Sequence, residues 1–135
     1  MTRFASDKHL ASWAGVCPGN KQSGGKRLSG KTTKGNPYLR AVLGEVAWAI
    51  SHTKDNYLSA QFHRIARRRG KQKAVVAVSH SVLIILYHML REDKPYSDLG
   101  PDYFEKLEAT QIEHYHVRRL EQLGFTVTLT PAPAA

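Results

Sequence analysis

The chain has 135 residues, enough for one domain that buries roughly two thirds of the surface its unfolded form would expose. Lysine and arginine number 20 against 11 aspartate and glutamate, so the net charge of +9 argues against a cationic partner and favours a polyanion such as nucleic acid. The single cysteine, Cys17, excludes an intrachain disulfide and a cysteine-rich zinc site, and predicts a reducing, cytoplasmic setting.

The charge is concentrated in the first half of the chain. Residues 1–70 carry 13 lysines and arginines and only 3 acidic residues, whereas residues 71–135 carry 7 lysines and arginines and 8 acidic residues. We therefore expect the anionic partner to bind the first half.

A short helix and a long loop open the chain. Ser6 is a predicted N-cap for a helix from Asp7 to Ala14, and Gly15 ends it. Residues 15–36 contain six of the ten glycines and few apolar residues, which predicts a long basic loop.

Helices are predicted for most of the remaining chain. Asn36 followed by Pro37 is a strong helix start, and the apolar spacing after it predicts one buried face: Leu39, Val42, Leu43, Val46, Ala47 and Ile50. Further helices are expected from Asp55 or Asn56 to Gly70, over residues 71–91, and over residues 102–123. The helix at 71–91 is the most apolar, and Ser79, His80 and His88 within it favour a core helix over a membrane span.

The predicted fold class is mainly α. We expect a single compact domain, 1–135, of about four to five helices, with a basic glycine-rich loop at 15–36 and a helical core at 37–123. Phe125 to Thr130 alternate between apolar and polar residues, which predicts at most one short C-terminal strand, followed by a disordered Pro-Ala tail.

Two familiar chemical motifs receive little support. Residues 25–32 satisfy the phosphate-binding pattern G-x-x-x-x-G-K-[ST], but no apolar strand precedes them and Gly35 and Pro37 follow where a helix should continue. A kinase or nucleotidase is therefore a distant alternative. The seven histidines form no recognised metal spacing, so we expect no metal site in this chain.

Two groups of cations could contact phosphates. Arg64, Arg67, Arg68 and Arg69 crowd the end of one predicted helix, where they could either bind nucleic acid or simply complement the helix dipole. Around Ser23, one hydroxyl stands beside two glycines and among several lysines. Such a loop can approach a phosphate closely and stabilise its charge, although a solvated flexible loop is the commoner explanation.

Several segments, in order and spacing, resemble the C-terminal domain of the insertion-sequence 110/116/902-type transposases. They are Arg3 to Ser6, Leu10 to Pro18, Ser23 to Lys26, Thr33 to Asn36 and Leu39-Arg40, with weaker similarity at 73–78, 87–96 and 120–129. The resemblance spans nearly the whole chain.

This resemblance implies a function. In this family a serine becomes joined covalently to a DNA phosphate, and Ser23 occupies its place in the Ser-Gly-Gly-Lys motif. A phosphoserine ester conserves the energy of the broken bond, so no nucleotide cofactor is needed. The family also has an N-terminal RuvC-like domain whose acidic residues hold magnesium. These 135 residues contain no counterpart of it, so we expect no cofactor here and no activity from this chain alone.

The resemblance implies partners as well: DNA, a structured guide RNA, the RuvC-like domain of the same or a neighbouring protein, and further copies in a homo-oligomer. A membrane is not expected. The expected nucleic-acid contacts are Lys21, Lys26, Arg27, Lys31, Lys34, Arg40, Arg64, Arg67, Arg68 and Arg69. The alternative is a non-catalytic, basic nucleic-acid-binding module left from a truncated transposase, in which Ser23 is only a loop residue.

Overall fold

The computed structural model describes residues 3–19 and 21–130, except the side chain of Arg27. These residues form five helices and one two-stranded hairpin. The helices are α1 (Asp7–Ala14), α2 (Pro37–Ser51), α3 (Tyr57–Arg69), α4 (Lys71–Glu92) and α5 (Tyr103–Gln122), and the strands are β1 (Lys21–Ser23) and β2 (Lys26–Ser29). The mainly α class is confirmed. The predicted Pro-Ala tail lies outside the described residues.

Local signals in the sequence determine the helix boundaries. The side chains of Ser6, Asn36 and Asn56 each accept a hydrogen bond from the backbone N–H three residues on, at 3.3, 3.0 and 2.8 Å. Glycines follow the last residues of α1 and α3, and the cap of α1, Gly15, has the left-handed φ of 75°. The predicted boundaries of these three helices are confirmed.

The chain divides into two compact units, residues 1–101 and residues 102–135. Within the first, α4 packs against α1, α2 and α3, so it is the central helix, as predicted. By length and composition alone, α4 would also suit a membrane span, since it has 22 residues and a mean hydropathy of 1.6. The expectation of one transposase domain over 1–135 stays a prediction.

The core of the first unit has two clusters. One joins α1, α2 and α4 through Leu10, Leu43, Leu83 and Tyr87, and the other joins α2, α3 and α4 through Ala47, Phe62, Ala74 and Val78. A buried hydroxyl links two of these helices, because Ser79 Oγ donates to the carbonyl of Leu43 at 3.0 Å. Helix α2 therefore packs on α4.

The predicted buried face of α2 is wrong at two positions. Leu43 and Ala47 are buried, with Leu39 and Ile50 partly buried beside them, but Val42 is 55% exposed and Val46 is 38% exposed. Spacings of three and four from Leu43 reach both Val46 and Ala47, and the helix turns the smaller residue toward α3 and α4.

The second unit contains α5 and the segment after it. The helix buries none of its residues and ends where the N–H groups of Leu123 and Gly124 bond to carbonyls three residues back, at 3.0 and 2.9 Å. The predicted strand from Phe125 to Thr130 is not formed, since these residues have no regular structure. A strand needs a partner to hydrogen-bond, and in the described chain only β1 and β2 pair.

Candidate nucleic-acid interface

Ser23 lies at the tip of a β-hairpin. It ends β1, pairs with Lys26 at the start of β2, and is followed by a two-residue turn of Gly24 and Gly25 with φ of 55° and 74°. Positive φ at both turn residues is typical of a tight antiparallel hairpin and suits glycine. This hairpin was not predicted from the sequence, although the Gly-Gly pair between two short segments is a signal for it.

The tip of the hairpin is open to a large ligand. Ser23 and both glycines are exposed, and among the described residues beyond the immediate chain neighbours no atom lies within 4 Å of the place where a Cβ would stand on either glycine. Cross-strand neighbours such as Ser23 and Lys26 point to the same face, with Cβ atoms about 4.5 to 5.5 Å apart. A hydroxyl and an ammonium group can therefore reach one phosphate together.

The base of the hairpin is held tightly by backbone contacts. A Cβ on Gly35 would overlap the backbone of Ala14 and Gly15 at the end of α1, and a Cβ on Gly19 would overlap the carbonyl oxygen of Lys31. The Thr33 hydroxyl also donates to the Ser12 carbonyl at 3.5 Å. These contacts fasten both arms of the loop, so the tip projects from a fixed support.

Arg40 helps to hold the base of the hairpin in place. Its guanidinium donates to the carbonyl of Thr33 at 3.3 Å and to the hydroxyl of Thr32 at 3.0 Å. It is partly buried at the start of α2, and these bonds hold the loop that follows β2. As a phosphate contact it would have only its remaining N–H groups to offer.

The other cations predicted for this loop are exposed: Lys21, Lys26, Lys31 and Lys34. The side chain of Arg27 lies outside the described part, although its backbone pairs with Gln22 across the hairpin. The structure thus joins Lys21, Lys26 and Ser23 on one basic projection, which we call the serine hairpin (residues 21–29). Lys31 and Lys34 lie in the segment that follows it.

The acids nearest to Ser23 in sequence are Asp7 and Glu45, and Asp7 is already engaged. Its carboxylate accepts the Lys8 N–H at 2.7 Å and lies 3.4 Å from His88 Nε2. The Lys8 hydrogen bond, with help from His88, lowers the pKa of Asp7, which makes it a weaker base. No group of three histidine, cysteine or acidic residues in the described chain could hold a metal ion.

The phosphate-binding pattern at residues 25–32 has the wrong structure around it. Its first part is the hairpin turn and β2, and residues 30–36 have no helical structure before α2 begins at Pro37. A nucleotide phosphate would need the N–H groups of a helix starting at Lys31 and Thr32. The structure places no helix there.

The second set of predicted contacts lies at the turn between α3 and α4. Arg67, Arg68 and Arg69 form the exposed last turn of α3, and Lys71 and Lys73 follow on α4. Arg64 is partly buried and has an interaction within the protein. The three arginines stand where the helix dipole is negative, and they remain exposed to a ligand.

Comparison with known proteins agrees with the motifs. Residues 1–64, which include the serine hairpin and Arg40, match the model of the transposase IS116/IS110/IS902 family. The resemblance is therefore confirmed over residues 1–64, which are similar to a family of DNA transposases.

Among curated proteins, the pilin gene-inverting proteins of Moraxella lacunata and Moraxella bovis are each 29% identical over 96 residues. The match covers 69% of this chain and 30% of each relative, so the chain spans less than a third of their length. No solved structure matches the chain.

Proposed function

We propose that this chain is a DNA transposase or recombinase domain that binds nucleic acid and supplies Ser23 as the nucleophile for strand cleavage and exchange. The observation that carries the proposal is the serine hairpin. It presents an exposed hydroxyl beside Lys26, at a glycine turn with open space around it, within the segment that matches the transposase family.

The proposed reaction needs no external energy source. Ser23 Oγ attacks a DNA phosphorus, a bond from serine oxygen to phosphorus forms, and the bond to one deoxyribose oxygen breaks. The serine proton passes to a base and the leaving oxygen takes up a proton. The reverse attack, by a sugar hydroxyl of another strand, breaks the serine ester and completes the exchange.

The residues around Ser23 would bind and orient the phosphate. Lys26 shares the face of Ser23 and Lys21 lies on the same strand, so their ammonium groups can stabilise the negative charge that develops on the phosphoryl oxygens. The glycine turn lets the DNA backbone approach without steric conflict. The fastened base of the hairpin reduces the freedom that Ser23 would lose on binding.

Activation of the hydroxyl needs a group from outside these residues. A serine is a weak nucleophile at neutral pH, and protonated lysines cannot accept its proton. The described residues also do not fit a magnesium site. The proposal therefore includes a RuvC-like acidic domain as a partner, and this chain alone should bind DNA without cutting it.

Further partners belong to the same proposal. We include a structured guide RNA, a homo-oligomer of the complete recombinase, and a cytoplasmic location. The exposed arginines at the end of α3 give a second basic surface beyond the serine hairpin, so two strands could be held at once.

The test is the formation of a covalent protein–DNA adduct. The chain is mixed with the RuvC-like domain, magnesium, guide RNA and labelled target DNA, and the products are separated on a denaturing gel. We expect an adduct with the parent chain and with Ser29→Ala, a control in the same hairpin, and none with Ser23→Ala. DNA binding should be equal in all three.

Two results would count against this proposal. An adduct that persists in Ser23→Ala would show that another group is the nucleophile. Binding of DNA with no adduct from any variant, in a mixture where a full-length family member is active, would favour the non-catalytic binding module.

A further inference from the structure

Trp48 is an exposed aromatic side chain with a fixed position. It lies in the last turn of α2 and is 47% exposed. Its ring centroid lies 6.4 Å from that of Phe62 at 81°, and 5.4 Å from that of His52 at 69°. Because Phe62 is buried in the core cluster, one side of the indole rests on the protein while the rest faces solvent.

Hydrogen bonds fix the backbone around this residue. The Ser51 hydroxyl donates to the Trp48 carbonyl at 2.6 Å, and a ring nitrogen of His52 lies 3.0 Å from the same oxygen. On the facing helix, His63 Nε2 lies 3.1 Å from the Ser51 carbonyl and ties α2 to α3. On a backbone fixed in this way, the ring contacts with Phe62 and His52 restrain the indole before any ligand arrives, which lowers the entropy cost of binding.

Positive charge borders the exposed indole. Lys71 Nζ lies over the Trp48 ring, 5.9 Å from its centroid, and Arg67, Arg68 and Arg69 are exposed at the helix end that leads to Lys71. No acidic residue occurs between residues 57 and 91, which include all of α3 and nearly all of α4. Glu45, three residues before Trp48 on α2, is the acid closest to it in sequence.

An aromatic face beside cations fits one ligand class well. Proteins that bind single-stranded nucleic acid stack unpaired bases on aromatic rings and hold the phosphates with lysine and arginine. In a duplex the faces of the bases are covered by their neighbours, so a side chain cannot stack on them without opening the helix.

We propose that Trp48 stacks on an unpaired base of a single-stranded nucleic acid while Lys71 and the arginines at 67–69 contact the flanking phosphates. The inference extends the proposed function, since it rests on nucleic-acid binding, but it is independent of the serine chemistry. Trp48 lies within the segment that matches the transposase family, whereas Arg67 to Lys71 follow its last residue, 64.

Tryptophan fluorescence tests this directly, because the chain has only two tryptophans. Trp13→Phe leaves Trp48 as the sole emitter, and Trp13 is half exposed on α1, so the change should spare the fold. Oligothymidylate, oligouridylate and a duplex of equal phosphate content are added in turn. Anisotropy of a label on each oligonucleotide measures binding separately.

We expect both single strands to quench Trp48 in step with binding, and the duplex to bind with little quenching. Trp48→Leu should weaken single-strand binding roughly 5- to 150-fold and leave duplex affinity unchanged, while Trp48→Phe should retain most of it. A difference between the RNA and DNA arms would identify the preferred source of the unpaired strand.

The outcomes separate the two proposals. Single strands that bind without quenching Trp48, or that bind Trp48→Leu as tightly as the parent, would overturn the stacking inference and leave nucleic-acid binding intact. Failure of every oligonucleotide to bind at low salt would contradict both the inference and the proposed function.

Discussion

Replacing Gly35 with alanine should damage the support of the serine hairpin. Gly35 has a φ of 50°, and a Cβ there would come closer than 3.0 Å to the backbone of Ala14 and Gly15. The left-handed conformation costs an alanine about 1 to 2 kcal/mol. Overpacking against rigid backbone adds about 1 to 3 kcal/mol. We therefore expect Gly35→Ala to lower the free energy of unfolding by about 2 to 5 kcal/mol.

Gly24→Ala is the matched control for this change. Gly24 has a similar φ of 55°, but no described residue beyond its chain neighbours has an atom within 4 Å of the place where its Cβ would stand, so only the conformational cost applies. Urea denaturation followed by circular dichroism gives both free energies, and their difference isolates the steric contact. Equal destabilisation by the two substitutions would refute the close packing of the hairpin base on α1.

Three further predictions concern the core, the basic surface and the response to pH. Leu43→Ala should destabilise the fold by about 2 to 5 kcal/mol in urea denaturation, and Val46→Ala by less than about 1 kcal/mol, because Leu43 is buried and Val46 is not. Equal effects of the two substitutions would contradict the corrected face of α2. Changing the three arginines at 67–69 to glutamine should reduce the slope of log affinity for duplex DNA against the logarithm of salt concentration by about 2 to 3. The circular dichroism spectrum should stay the same, and an unchanged slope would exclude these arginines as phosphate contacts. Burial, with the hydrogen bond to Asp98, raises the pKa of Tyr96 from its ordinary 10.0 to about 12. The stabilisation of the fold by protonated Tyr96 is therefore full below pH 10 and is lost as the pH rises toward 12. Tyr96→Phe should remove this part of the pH dependence of the free energy of unfolding.

Short-range signals made most of the helices predictable. Ser6, Asn36 and Asn56 cap helices because their side chains bond to the next turn, a preference that does not depend on the rest of the fold. The central position of α4 followed from its apolar surface. The two strands were harder, because a hairpin of three and four residues buries too little to leave a pattern in hydrophobicity, and only Gly24-Gly25 indicated it.

Features that depend on contacts distant in sequence could not be predicted. Whether Val46 or Ala47 faces the core depends on where α3 and α4 lie, and periodicity alone allows both. Arg40 resembled the other loop cations in sequence, and only its bonds to residues 32 and 33 show that it supports the loop. For the same reason the exposed position of Trp48 beside Lys71 could not be predicted, because it arises from the packing of three helices.

The most direct measurement is the mass of the peptide that carries the DNA after strand cleavage. Trypsin cleaves after Lys21, Lys26, Arg27 and Lys31, so Ser23 and Ser29 fall in different peptides, 22–26 and 28–31. After nuclease trimming of the adduct, we expect a nucleotide phosphate on peptide 22–26, with fragmentation placing it on Ser23. Modification of peptide 28–31, or of any other residue in place of Ser23, would contradict the proposed role of the serine hairpin.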